Sequence, residues 1–293
     1  MITMELNNLY FGMAQWNHPD WMGWLYKNGS GSATRLEEYA RFFNSVEVGS
    51  SFYADLTDQT IKQWYEQVPQ DFRFSFKIPQ EVTHQLSEQT LAESCERLKQ
   101  FCHQLSAFEG KLGATMMQFP ATVGPQHISY IEQLCDVWSL DTALSVEVRH
   151  LDFFDKADTE TAFLRLLSNK KMNRVIMDSR PVFSTDAYCD SLLDAQQKKP
   201  KVPCHPVATS AHPVIRYIGH PDMVLNDVYL DQWAKKLCEW IHSGHTPYVF
   251  VHSSDNVKAP LLAQALEAKV LDLLGGYTNR IVLPTLQEQE SLF

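Results

Sequence analysis

Short runs rich in Val, Ile, Phe, Tyr and Met recur along the chain, with longer amphipathic stretches between them. The runs are LYFGMAQ from Leu9, SVEVGS from Ser45, FRFSFKI from Phe72 and LGATMMQF from Leu112, then ALSVEVR from Ala143, RVIMD from Arg174, VIRYIG from Val214 and PYVFVHS from Pro247. Each has the length and the β-branched or aromatic bias of a strand. Between them, ATRLEEYARFF, LTDQTIKQWYEQV, SEQTLAESCERLKQFCHQL, PQHISYIEQLCDVW, DTETAFLRLLSNK, LNDVYLDQWAKKLCEWI and APLLAQALEAKVLDLL repeat apolar residues at helical spacing. Thr57 and Ser87 stand where helix N-caps belong, each ahead of an acidic or polar first turn.

The runs begin roughly 27 to 40 residues apart, the size of a βα unit. Strands alternating with helices predict a parallel α/β fold, and eight strands close a (β/α)8 barrel of ~250 residues. An open doubly wound sheet is the competitor. Its Gly-rich phosphate turn is missing, because FGMAQWNHPDW holds no G-x-G-x-x-G. The expectation is a single TIM-type barrel domain over residues 1–293. One stretch breaks the rhythm. Ser179 to His212 offers only DSLLDAQQ as a helical candidate before KKPKVPCHP, and reads as a long irregular loop after the sixth strand. The polar tail LQEQESLF, about residues 286–293, is expected to fray.

Alternation then assigns faces. In the fifth run Leu144, Val146 and Val148 alternate with Ser145, Glu147 and Arg149. The apolar set should meet the helices and the polar set should point inward. The third run turns Arg73, Ser75 and Lys77 inward by the same logic, and the second turns Glu47 and Gly49 inward. Arg216 splits the apolar run VIRYI, and Gln118 and Asp178 end the fourth and sixth runs. The inward set near the C-terminal strand ends, where barrel enzymes place their chemistry, is Glu47, Lys77, Gln118, Glu147, Arg149, Asp178 and Arg216. Buried charges of both signs need partners. The set is either an ion-pair network that holds strand register or a polar active site. The second reading is preferred, because every member sits at the functional end.

The loop WNHPDWMGWLY adds Trp16, Trp21, Trp24 and Tyr26 around His18, and Phe52 and Tyr53 follow the second run. Aromatics here stack on a ligand or pack the loop, with Trp24 and Tyr26 assigned to packing more than Trp16. Eleven histidines include no H-x-H or H-E-x-x-H. His18, His150, His220 and His252 fall just past strands, yet Lys77, Arg149 and Arg216 would repel a cation, so no metal site is assigned.

Net charge narrows the partners. Lys+Arg is 25 against Asp+Glu 35, a balance of −10, which disfavours a broad nucleic-acid surface but permits a local basic pocket. The six cysteines form no C-x-x-C and read as small apolar residues in a reducing compartment. No signal-peptide pattern opens the chain, and no apolar run reaches the ~18 residues of a membrane helix, so a cytoplasmic protein with no membrane partner is expected. No nicotinamide, flavin or P-loop fingerprint names a cofactor, and oligomeric state is not legible.

The chain resembles the YecE-like proteins, domain of unknown function 72. The resemblance covers nearly the whole chain. It is carried by FGMAQWNHPDWMGWLY, by YARFFNSVEVGSSFYADLTDQTIKQWYEQVPQDFRFSFKIPQEVTH, and by MMQFP, LSVEVRH and YVFVHSSDN. It implies a TIM-type barrel. It matches the family pattern at Trp16, Glu47, Ser50, Phe52, Tyr53, Lys77, Gln118, Phe119, Glu147, Arg149, Asp178 and Arg216. The chain departs from that pattern at Gln15, at His18, and in the turn containing Asp255 and Asn256.

The leading functional expectation is an enzyme acting on a small polar or anionic ligand. Lys77 serves as base or nucleophile, and Glu147 or Glu47 as acid–base partner beside Asp178. Arg149 and Arg216 grip the anion, and Trp16, His18, Ser50, Phe52, Tyr53, Gln118, Asp255 and Asn256 line the pocket. The alternatives are a nucleic-acid-binding or metal-dependent endonuclease-like protein, drawing on the basic run KKPK at Lys198 to Lys201, and a non-catalytic ligand-binding protein.

Overall fold

The computed structural model describes residues 6–275 and 278–285, so the frayed-tail expectation lies outside the described residues. Each of the eight runs forms a strand: β1 (Tyr10–Met13), β2 (Ser45–Val48), β3 (Arg73–Phe76), β4 (Thr115–Gln118), β5 (Leu144–Glu147), β6 (Asn173–Asp178), β7 (Val214–Gly219) and β8 (Tyr248–Ser253). The helices are α1 (Ser32–Tyr39), α2 (Asp58–Gln67), the short α3 (Gln80–Thr83), α4 (Leu91–Leu105), α5 (Ile128–Val137), α6 (Asp158–Asn169), α7 (Asp190–Lys198), α8 (Asp227–His242) and α9 (Ala259–Leu274).

Two local expectations change. The Thr57 hydroxyl caps α2, accepting from the Thr60 N–H at 3.1 Å. Ser87 does not cap α4, because it and Thr90 hydrogen-bond each other in a preceding turn and the helix starts at Leu91. The stretch after β6 is not a loop throughout. DSLLDAQQ forms α7, whose Leu192 and Ala195 bury against Val182 and Ile218. Two apolar side chains one turn apart were enough to seat a helix too short to stand out in the sequence. Beyond α7 the chain has no further helix or strand before β7. It is nevertheless tied down, with the Thr209 hydroxyl donating to Met172 O and accepting from Arg174 N–H.

All ladders are parallel. Six strands pair in the order β1-β8-β7-β6-β5-β4, and β2 and β3 form a separate pair. The backbone ladder is therefore not continuous over eight strands, as a simple barrel reading expects. The two breaks differ physically. Between β3 and β4 the backbones still meet: Gly113 N–H donates to Phe74 O at 2.8 Å, and Ile78 N–H to Met116 O at 2.9 Å. Between β1 and β2, two side chains replace the ladder. The Asn44 amide accepts from Phe11 N–H (2.8 Å) and donates to Leu9 O (2.9 Å). The Tyr39 hydroxyl accepts from Met13 N–H and donates to Ser45 O, both at 2.8 Å. Gly12 permits this approach, since a Cβ there would fall 2.3 Å from Ser45 O.

The strand faces follow the alternation. Phe74 and Phe76 pack outward on Phe108 at 5.1 and 4.7 Å between ring centres. The inner face is layered. Near the N-terminal strand ends Ala114, Met116, Val175, Val214, Tyr248 and Phe250 form an apolar plug, extended by Tyr10 stacked on Tyr248 at 4.6 Å. Toward the C-terminal ends the same face turns polar, which sets the floor of the site.

Candidate functional site

The floor is a buried charge network. β2 sends Val46 and Val48 to the helices and Glu47 inward, β5 sends Glu147 inward, and β7 contributes Arg216, all almost fully buried. Arg216 Nε donates to Glu47 Oε2 (2.8 Å) and Nη2 to Glu47 Oε1 (2.9 Å), a fork that matches a carboxylate. Its Nη1 donates to Glu147 Oε2 at 2.8 Å. Arg149 closes on the other Glu147 oxygen through Nε at 2.9 Å. Lys77 Nζ lies 3.2 Å from Glu47 Oε1 and 3.4 Å from Gln118 Oε1, and 5.8 Å from the centre of the Phe52 ring. His252, inside β8, places Nε2 3.3 Å from Glu47 Oε2.

These contacts set the charge states. Burial alone would raise the Glu47 carboxyl, but Arg216, Lys77 and His252 outweigh it and hold Glu47 well below the usual carboxylate range. Glu147 is likewise held low, its burial offset by Arg216, Arg149 and Lys77. Both are locked ionised, which makes them poor proton donors. Burial and the nearby Arg216 push Lys77 down, against the pull of Glu47. Burial drives His252 down to about 4, so it is neutral near pH 7.

Above this floor opens a pocket of about 860 Å³, within the size range of small-molecule sites. Lys77, Glu47, Gln118, Arg149, Arg216, Trp16, Ser50, Phe52, Tyr53 and Asn256 all border it. Glu147 sits directly under it through Arg216 and Arg149.

Three expected members lie elsewhere. Asp178 is buried on the opposite face of β6, where it accepts from Trp233 Nε1 of α8 and from Arg180, each at 2.8 Å. In β6 it is Met177 that borders the pocket. RVIMD carries no polar–apolar alternation, so position at the strand end misassigned the face. His18 accepts from Asp20 N–H, and its Nε2 lies 3.0 Å from Asp255 O, which clasps two loops outside the pocket. The Asp255 carboxylate accepts from Val257 N–H and shapes its own turn. Both residues are spent on loop geometry.

The loop aromatics divide. Trp21 and Tyr26 are buried, the Tyr26 hydroxyl donates to Trp16 O, and Trp24 Nε1 donates to Pro284 O. Trp16 faces the pocket beside Trp64.

Among the pocket residues not expected there are Trp64, His84, His252 and Lys199. Trp64 belongs to α2, and nothing in its amphipathic pattern separates it from a packing residue. His84 follows α3, with Nδ1 2.9 Å from Thr83 Oγ1 and its ring edge-on to Phe52; burial and the neighbouring Arg149 lower its basicity. His252 was visible as a polar residue alternating inward with Phe250, a signal the alternation argument did not follow. Lys199, at the end of α7, enters the pocket half-buried and makes no ion pair with a described residue. The run KKPK is thus not a basic stripe. Lys198 borders the pocket but pairs with Asp194, Lys199 lines the pocket without an ion pair, and Lys201 lies over the Phe183 ring.

Among the described residues no group of three or more His, Cys, Asp or Glu is placed to hold a metal ion, all six cysteines are free thiols, and no helix is long and apolar enough to cross a membrane.

Residues 10–281 match the family described as "Protein of unknown function DUF72". The chain is 37% identical over 288 residues to the UPF0759 protein YecE of Escherichia coli K12, covering 97% of this chain and 100% of that one. Two solved DUF72 family proteins share the fold. One is from Enterococcus faecalis V583, with TM-score 0.69, 17% identity, and 89% and 95% of the two chains covered. The other is from Thermotoga maritima MSB8, with TM-score 0.63, 20% identity, and 91% and 98% covered.

Proposed function

Because the chain belongs to the DUF72 family, and the matched span contains every residue bordering the pocket, we propose that its eight strands form a closed barrel whose C-terminal end binds a small anion for a reaction in which Lys77 moves a proton. Closure is supported by the two seams, and by Glu47 of the two-strand ladder reaching Arg216 and His252 of the six-strand ladder. The observation that carries the function is a local excess of positive charge. Lys77, Arg149 and Arg216 pair with Glu47 and Glu147, and Lys199 joins them in lining the pocket, in a chain of net charge −10. Such an excess in a partly desolvated cleft favours an anionic ligand.

The division of labour follows from the contacts. Arg216 is spent on both carboxylates and holds the floor. Arg149 uses only one edge on Glu147 and keeps the other for a ligand. Lys77 carries three donors, and Glu47 and Gln118 take two, which leaves the third for the pocket. Burial and the neighbouring Arg216 lower its basicity, which eases release of its proton. Glu47 and Glu147 position and polarise the cations rather than act as acids.

Calorimetric titration of the full chain with inorganic phosphate at low ionic strength tests this reading. Saturable binding is expected, weakened by added salt and at least tenfold by Arg149→Ala. Absence of phosphate binding at low salt would sink the proposal. Lys77→Met is expected to keep the fold by circular dichroism, because Arg216 still pairs Glu47.

A further inference from the structure

Resting on the anion-site reading, we infer that the pocket's ligand joins a flat ring to a phosphate group, the ring lying against Trp16 and Tyr53 and the phosphate reaching Arg149 and Lys199.

The pocket is two-sided, and the sides come from different parts of the chain. The segments after β1 and β2, with α2, supply Trp16, Phe52, Tyr53 and Trp64. The cations come from the end of β3, from the segment after β5, from the end of α7 and from β7. The aromatic side is built for contact. Trp16 meets Trp64 edge to face at 4.8 Å and 83°, and Phe52 meets Tyr53 at 5.0 Å and 87°. Each pocket ring is braced by its edge-to-face partner, Trp16 by Trp64 and Tyr53 by Phe52, which holds both at the pocket for a third ring to lie against.

Hydrogen bonding sorts the seven indoles only in part. The indole N–H groups of Trp21, Trp24, Trp138 and Trp233 all donate to protein oxygens. Those of Trp16, Trp64 and the core Trp240 reach no protein acceptor among the described residues. Trp240 is packed in the core beside Trp233, whereas Trp16 and Trp64 are half-buried at the pocket, where a ligand can meet both their rings and their N–H groups. Tyr53 is 75% exposed at the pocket edge, although the ring is large and apolar.

The charge on the other side matches a dianion. With the lysines protonated, four cations face two carboxylates, and the surplus of two is the charge of a phosphate monoester. Lys199 and the free edge of Arg149 are the groups with donors to spare. Lys199 is held in place by the next residue along, since the Ser179 hydroxyl donates to Pro200 O at 2.8 Å.

The test compares three probes on the full chain: inorganic phosphate, phenol and phenyl phosphate, read by calorimetry and tryptophan fluorescence. Phenyl phosphate is expected to bind at least tenfold more tightly than inorganic phosphate and to change the fluorescence, with phenol binding far more weakly than either. Tyr53→Ala, at an exposed position that cannot threaten the fold, and Trp16→Ala should each shrink the advantage of phenyl phosphate without weakening inorganic phosphate. Equal affinity for phosphate and phenyl phosphate would overturn the ring site and leave the anion site standing. Phenol binding as tightly as phenyl phosphate would overturn the joined ligand. Failure of both phosphates to bind would remove the anion-site reading itself.

Discussion

Arg216 on β7 grips both oxygens of Glu47 on β2 with the Nε–Nη2 edge of its guanidinium, across 169 positions of sequence. The same group holds Glu147 through its remaining nitrogen. One cation thus bridges two buried carboxylates, with Lys77 and Arg149 completing the charge balance.

Replacing Arg216 by Met leaves both carboxylates buried with only Lys77, Arg149 and the neutral His252 beside them. The expected cost is about 3–5 kcal/mol, the range for removing one partner of a buried ion pair. Urea unfolding followed by circular dichroism measures it, and an unchanged midpoint would contradict the network as drawn.

Acid should weaken the fold in two steps. The His252 proton affinity is held at about 4 in the fold against 6.5 unfolded. Between those values the unfolded chain binds a proton that the fold refuses. Stability therefore falls as pH drops from about 6.5 to about 4, by about 3 kcal/mol in all. Glu47 and Glu147 are shifted down, so their contribution is present above the unfolded carboxylate range and is lost as pH falls through their lowered folded values. Their step comes at more acid pH. His252→Asn should flatten the upper step only, which unfolding midpoints measured from pH 7 to pH 3 would show.

The β1–β2 seam has its own signature. Gly12→Ala puts a methyl into Ser45 O and should cost about 1–3 kcal/mol. Asn44→Ala strands the Phe11 N–H and the Leu9 carbonyl, at about 1–3 kcal/mol for each group left unpaired. Amide hydrogen exchange at Phe11 and Met13 should accelerate in both variants; unchanged exchange would mean these side chains do not hold the seam.

Asp178 separates site from scaffold. Asp178→Asn should leave phosphate affinity unchanged while lowering stability by about 1–3 kcal/mol, because it weakens the contacts to Trp233 and Arg180. A tenfold loss of phosphate affinity at full stability would return Asp178 to the pocket.

Much of this was legible from parity. Leu144, Val146 and Val148 against Glu147 and Arg149, or Phe74 and Phe76 against Lys77, leave one way to bury the apolar face, and the polar partners then point inward. Asp178 shows where that logic stops. On a strand buried on both sides neither face rejects a carboxylate that has a partner, and the partner, Trp233, comes from a helix 55 positions away. Lys199 and Trp64 were hidden for a related reason. A lysine after a short helix and an aromatic on an amphipathic one look alike in sequence whether they meet solvent, core or ligand.

The order of elements, the inward charges and the strand-end location of the site are properties of the sequence, because hydrophobic periodicity acts locally and burial of each apolar face admits one orientation. Which carboxylate meets which guanidinium, which tryptophans are left without acceptors, and how Asn44 and Tyr39 join β1 to β2 were decided only in three dimensions. Those contacts depend on distances between residues far apart in the chain, and on the balance of desolvation against pairing that exists once the strands are brought together.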